Sequence, residues 1–223
     1  HYKRNRDGDG GATSLANKLE TWLHKKVASS TIFCKKTEEI ETLELGAGTL
    51  NQLQYEPKQK KYDIVEPYQM LFQKSEMLER VHEIYSDISD VPADNKYDRI
   101  TSIAVLEHIV DLPRVVAKSC LLLKEKGIFQ ASIPNEGTLL WYLGWRLTTA
   151  IEFKRRYGLD YQLLMQYEHV NTADEIEEVL NYFFYETKAQ VLGISKKLAF
   201  YRYYKCAKPR FENCYNYLNE VNS

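Results

Sequence analysis

The sequence predicts an α/β fold: a doubly wound, seven-stranded, mostly parallel sheet with an antiparallel strand in a final hairpin. Three observations predict it. Short apolar runs alternate with helical stripes from residue 40 to residue 135, the pattern of parallel strands joined by crossovers. The first run closes on a glycine turn, "ELGAG". The last two runs are separated only by a short link, which is hairpin spacing. With 223 residues, of which 44% are hydrophobic, the chain is long enough to bury one sizeable core, so a single domain over 1–223 is expected.

The elements follow in order. Residues 1–12, "HYKRNRDGDGGA", are polar and glycine-rich and read as a flexible arm. Leu15, Leu19, Trp22, Leu23 and Lys26 then lie on one face at helical spacing, with Thr13 or Ser14 as N-cap. The strand candidates are 40–45, 61–66, 80–85, 97–103 and 127–133, with helical segments between them. The clearest helix follows Asp111, whose side chain suits an N-cap, with Pro113 in the first turn. Its stripe is Leu112, Val115, Val116, Cys120 and Leu123. After Pro134 the pattern becomes aromatic and helical in period, so 137–170 reads as a helical cap inserted into the domain. Thr172 and Glu175 form a capping-box pair ahead of Ile176, Val179, Leu180 and Phe183. Two last strands are expected around 185–192 and 197–206, with Gly193–Ser195 as the hairpin link.

The glycine turn carries the chemistry. In an open α/β sheet, ligands bind beyond the carboxyl ends of the strands, where strand order reverses. Gly46 and Gly48 permit a tight turn and a close backbone approach to a ligand. The second strand ends in Glu66, 20 positions beyond Gly46, the spacing of an acid that accepts hydrogen bonds from ribose hydroxyls. A nicotinamide dinucleotide fits poorly. Its pattern needs a third glycine where Asn51 stands, and its pyrophosphate would approach the carboxylate of Glu44. A phosphate-free nucleoside bearing a positive charge removes the like-charge objection, and S-adenosylmethionine is such a molecule.

Bulk properties narrow the alternatives. Net charge is -1 with 27% charged residues, unlike the basic footprint of a nucleic-acid binder. Cys34, Cys120, Cys206 and Cys214 are scattered without a CxxC pair, which argues for reduced, buried thiols and against a metal site. No apolar run approaches the ~18 residues of a membrane span. The cytoplasm is the expected location.

"ELGAGTL", "DIVEP", "YSDISDVPADNKYDRITSIAVLEHI" and "LLLKEKGIFQASIPN" together resemble the class I S-adenosylmethionine-dependent methyltransferases over about residues 40–135. The resemblance implies a Rossmann-like fold, S-adenosylmethionine as cofactor and S-adenosylhomocysteine as product. It carries cofactor binding onto Glu44, Gly46, Ala47, Gly48, Glu66, Pro67, Asp87, Ile88 and Ala104. Asp87 would meet the adenine amino group, Ile88 would flank the ring, and Ala104 would line the cleft. Where the family often has a third glycine, this chain has Leu50.

A hydroxyl acceptor benefits from a base, and His108 and His169 are the candidates. His108 equally suits a role in shaping the cleft. Eleven of the 17 tyrosines follow residue 140, which makes 137–170 the candidate acceptor-binding segment. The same residues suit ordinary packing or a homodimer face. The expected acceptor is a hydroxyl or amine of a small molecule or glycan. The competing reading is a non-catalytic binding or assembly module on the same fold.

Overall fold

The structure is a computed structural model that describes residues 11–32, 36–135 and 170–221. The predicted cap up to His169, and the arm up to residue 10, lie outside the described residues. So do the predicted base His169 and Cys34.

The sheet has seven strands: β1 (Glu41–Leu45), β2 (Lys61–Val65), β3 (Ile84–Tyr85), β4 (Tyr97–Ile103), β5 (Leu123–Pro134), β6 (Phe184–Ser195) and β7 (Leu198–Pro209). Their spatial order is β3-β2-β1-β4-β5-β7-β6. The first five are parallel neighbours, and β7 runs antiparallel between β5 and β6. The Rossmann-like, mostly parallel architecture is therefore as the sequence predicts. Strand order reverses between β1 and β4, which opens a ligand crevice at their carboxyl ends.

The two faces of the sheet differ in chemistry. Leu43, Leu45, Ile100, Phe129, Ala131, Ile133, Tyr204 and Cys206 join one apolar core with helices α2 (Leu112–Leu122), α3 (Ala173–Phe183) and α4 (Phe211–Val221). Side chains one residue out of phase point the other way. These are Thr42, Glu44, Arg99, Thr101, Gln130, Ser132 and Tyr203, and helix α1 (Gly11–Ile32) packs over this polar face.

Burying so many polar groups requires partners. Arg99 pairs with Glu56 at 2.8 Å, and both are buried. Arg99 also donates to the Val27 carbonyl and the Ser30 hydroxyl of α1. Glu56 accepts from Thr31 at 2.7 Å and from Gln52, which in turn meets His24 Nδ1 at 2.8 Å. Ser30 donates to Gln130 at 2.8 Å, and Gln130 bonds Tyr203.

At the far end of β5, Asn135 and Arg202 fasten the hairpin to α3. Arg202 donates to Asn135 Oδ1 and Asp174, while Asn135 Nδ2 donates to the Lys196 and Ala199 carbonyls at 2.7 and 2.9 Å. Cys120, Cys206 and Cys214 are buried free thiols where α2, β7 and α4 meet.

Several expectations need correction. Helix α1 already runs at Gly11, the first described residue, so two residues of the predicted arm are helical and Thr13 and Ser14 lie within the helix and do not cap it. Only short 3-10 turns, and no α-helix, join β1 to β2 and β2 to β3, where helical segments are expected. The strand expected over 80–85 shrinks to Ile84–Tyr85. Ser75 caps a 3-10 helix over Glu76–Arg80, and the Arg80 guanidinium is tied to the carbonyls of Leu53, Glu56 and Pro57. The hairpin turns at Lys196 and Lys197, not at Gly193–Ser195. Gly193 instead sits in β6 at a register shift, where an added Cβ would lie 2.2 Å from the Leu198 carbonyl oxygen. Helix α4 was not predicted; Phe211, Cys214 and Leu218 carry its spacing.

Replacing Arg99 by Met leaves the Glu56 carboxylate buried without its cation, and should lower unfolding free energy by about 3 kcal/mol. Adding E56Q to R99M should recover more than half of that loss. Urea denaturation of the three proteins checks it, and equal losses in the single and double variants contradict it.

Candidate active site

The carboxyl ends of β3, β2, β1 and β4 lie side by side, and each carries a predicted site residue. At the end of β1 the Gly46 N–H donates to the Val65 carbonyl at 2.8 Å. Gly46 has φ +67°, and a Cβ there would lie 2.4 Å from Val105 Cγ2. Glycine is required twice over, by backbone angle and by the side chain seated on it. Gly48, at φ +53°, has nothing within 4 Å of its Cβ position. The turn is thus closed at Gly46 and open at Gly48. Ala47 is buried between them. Leu50 takes the left-handed angle, φ 64°, and its fully buried side chain anchors the turn in a second small core with Leu53, Tyr62, Ile64 and Phe72.

Glu66 follows β2 and is 5% exposed. One carboxylate oxygen accepts from Gly48 N–H at 2.8 Å and the other from Tyr68 N–H at 3.0 Å. Each oxygen keeps a further lone pair for a ligand hydroxyl. Pro67 and Tyr68, just beyond, are exposed.

Asp87 is exposed and follows β3. It caps the 3-10 turn Ile88–Asp90 by accepting from Ser89 N–H at 2.8 Å, and that bonding to Ser89 holds its carboxyl below the usual range. Ile88 is buried in the main core beside the strand ends. Ala104, exposed after β4, has φ 54° and donates its N–H to the Ser132 carbonyl at 2.7 Å. A left-handed non-glycine residue costs roughly 1–2 kcal/mol, and such strain gathers at functional sites. His108 ends the 3-10 turn Leu106–His108 with its side chain 41% exposed and its Nε2 4.0 Å from Glu107 Oε1.

Glu44 stands apart from this rim. It is 3% exposed on the α1 face and accepts from the Tyr62 hydroxyl at 2.8 Å. Burial pushes its carboxyl from the ordinary 4.5 up to about 7, against the opposing pull of the Tyr62 hydrogen bond. The structure therefore gathers Gly46, Ala47, Gly48, Glu66, Pro67, Asp87 and Ala104 at one edge, with His108 on the same side. Glu44 and Ile88 lie beneath that edge, in the protein interior.

Three observations test the edge against a nucleoside with a positive charge. Gly48 leaves space for it. Glu66 offers acceptors. Thr49 Oγ1, in the same turn, is buried with no partner among the described residues. No lysine or arginine lies between Glu44 and Asn51 to hold a phosphate. The residues fit. Val105 and Asn171 were missed by the sequence reading. Asn171 donates from Nδ2 to the Leu106 and Ile109 carbonyls at 2.9 and 2.6 Å. The only signal in the sequence was its place directly before the Thr172 cap. Among the described residues, no cluster of three or more His, Cys, Asp or Glu is placed to hold a metal ion. Nor, among them, is any helix long and apolar enough to cross a membrane.

Comparison with known proteins gives a family and a fold. A family described as "Methyltransferase domain" matches residues 19–182. Among solved structures, a magnesium protoporphyrin IX methyltransferase (ChlM) from Synechocystis PCC 6803 with bound S-adenosylhomocysteine is 12% identical. It covers 93% of this chain and 92% of its own, with a TM-score of 0.57. The plantazolicin methyltransferase BpumL, also with S-adenosylhomocysteine, is 12% identical over 85% of this chain and 84% of its own, with a TM-score of 0.57. The CurJ carbon methyltransferase is 17% identical over 90% of this chain, at a TM-score of 0.57, and this chain spans 56% of that one. At such identities the likeness shows the fold alone. No curated protein matches the chain.

The buried Glu44 makes stability depend on pH. Its folded-state pKa lies above the unfolded one, so the folded state binds the extra proton between about 4.5 and 7. Its contribution is full below that window and is lost as pH rises through it, an effect of about 3 kcal/mol. E44Q keeps the shape and removes the titration. Its melting temperature relative to wild type should therefore be higher at pH 8 than at pH 5. A difference that does not change with pH contradicts the assignment.

Proposed function

The chain belongs to the methyltransferase-domain family, and on that premise we propose that it moves a methyl group from S-adenosylmethionine to a hydroxyl or amine of a small-molecule or sugar-type acceptor. The observation that carries the cofactor is Glu66. A buried carboxylate at the end of β2 gathers the Gly48 and Tyr68 N–H groups while keeping lone pairs for two adjacent ribose hydroxyls. Asp87, held ionised by Ser89, supplies the acceptor for an adenine amino group from the neighbouring strand end. Gly48 gives the backbone approach, and Ala104 lines the opposite wall.

When bound, the sulfonium donor supplies an already activated methyl group. The protein's work is then to align an incoming nucleophile with it and to keep water out. His108 is the described residue suited to accept a proton from a hydroxyl acceptor. It is part-exposed on the rim beyond β4, with the Glu107 carboxylate beside it to balance an imidazolium. His169 remains the second candidate. The related structures act on different acceptors by name, so the acceptor class rests on this chain's own tyrosine-rich C-terminal half.

Two measurements test this reading. S-adenosylhomocysteine at ~100 times its dissociation constant should stabilise the protein by roughly 2.7 kcal/mol, and a nicotinamide dinucleotide should not. E66A should reduce that stabilisation severely; an undiminished shift removes Glu66 from the site. In an acceptor screen following S-adenosylhomocysteine release, H108A should keep cofactor binding and lose roughly 100-fold or more in turnover of a hydroxyl acceptor. Retained turnover sinks the base assignment.

A further inference from the structure

We infer that Asn171 is a positioning residue of the methyl-transfer site: its side-chain amide holds the turn after β4, and through Val105 it holds the glycine turn after β1. The inference rests on the methyltransferase reading above.

The chain of contacts is continuous. Both hydrogens of the Asn171 amide are used, one on the Leu106 carbonyl at 2.9 Å and one on the Ile109 carbonyl at 2.6 Å. The backbone N–H groups of Val170 and Asn171 both donate to the Glu107 carbonyl, at 2.9 and 3.2 Å. The outward carbonyls of a short 3-10 turn have few partners within the turn itself. Here two adjacent residues, Val170 and Asn171, take them, and Asn171 alone supplies the side-chain bonds. The turn it holds bears His108 at one end. At the other end Val105 sits where a Cβ on Gly46 would be, and Ala104 is kept in its left-handed angle. Displacing the turn therefore moves the lid of the glycine turn, the cleft wall and the base candidate together.

Asn171 is not needed to hold α3. That helix has its own reciprocal cap, Thr172 with Glu175, and its own tie to β7 through Arg202 and Asp174. Loss of the amide should act on the turn and leave the helix in place.

Hydrogen exchange and calorimetry with S-adenosylhomocysteine test this. In N171A the His108 and Ile109 amides should exchange at least tenfold faster, and affinity for S-adenosylhomocysteine should fall about tenfold. The melting temperature should change by only a few degrees. N171D has the same shape but sets a carboxylate against two carbonyls at pH 8. Near pH 5 its protonated form can donate one hydrogen bond, so its affinity should rise relative to N171A as pH falls. A purely structural role predicts no such rescue. The inference is overturned if N171A binds S-adenosylhomocysteine as wild type does, if the turn loosens without loss of affinity, or if N171D follows N171A at every pH. A wild-type chain that binds no S-adenosylhomocysteine overturns this inference and the proposed function together; the other outcomes overturn this inference alone. Should N171A not fold, N171D is compared with wild type: its affinity at pH 5 relative to pH 8 should exceed the same ratio for wild type, and equal ratios overturn the inference.

Discussion

The buried pair of Arg99 and Glu56 is the constraint on which the rest of the architecture depends. Two charges taken out of water must be matched by geometry and by further hydrogen bonds. Here Val27, Ser30, Thr31, Gln52 and Gln59 provide them. Those residues come from α1 and from the link between β1 and β2. The polar face of β4 therefore dictates where α1 lies, and where the chain leaving the glycine turn must return. Hydrophobic burial alone would leave α1 free to slide along the sheet; a directional ion pair does not.

That fixed frame holds the turns at the carboxyl edge, where the candidate site lies. Each turn there is secured by a different device. The β1 turn is held by Val105 over Gly46 and by Leu50 in its own small core. The β2 end is held by Glu66, which accepts from Gly48 in the β1 turn and from Tyr68 just beyond itself. The β3 end is held by a reciprocal aspartate cap, and the β4 turn by Asn171. The two carboxylates nearest the glycines also divide their labour by environment. Glu66 accepts from the backbone N–H groups of Gly48 and Tyr68 at the edge. Glu44 is buried with a tyrosine for company, and its burial favours the protonated form.

Much of this was legible in the sequence because strands announce themselves by period and turns by residue type. The sequence places strand β4 to the residue, and spacing alone places Gly46, Gly48 and Glu66 at neighbouring strand ends. What escaped is what spacing does not encode. An alternation such as "DRITSI" reveals that two faces differ, but not that the polar face is the one under α1. The strand expected at 80–85 failed because its apolar residues were weighed without the side chain of Arg80, whose carbonyl contacts lie 23 to 27 positions away. Gly193 reads as a turn residue in the sequence because glycine signals both turns and close backbone approach, and only the packing against Leu198 separates the two. Asn171 was invisible for the same reason: its partners are more than 60 positions distant.

The three buried thiols have a practical consequence. Cys120, Cys206 and Cys214 sit on α2, β7 and α4, and burial pushes the Cys206 thiol up to about 12 and Cys120 well above its ordinary value. A thiol reagent attacks the thiolate, so these positions stay silent while their elements are docked. The rate at which each becomes labelled then measures how often its own element opens. Matched rates at all three mean that helices and sheet separate as one cooperative unit. A faster Cys214 means that the C-terminal helix peels away first, and the native chain reports this without an added probe.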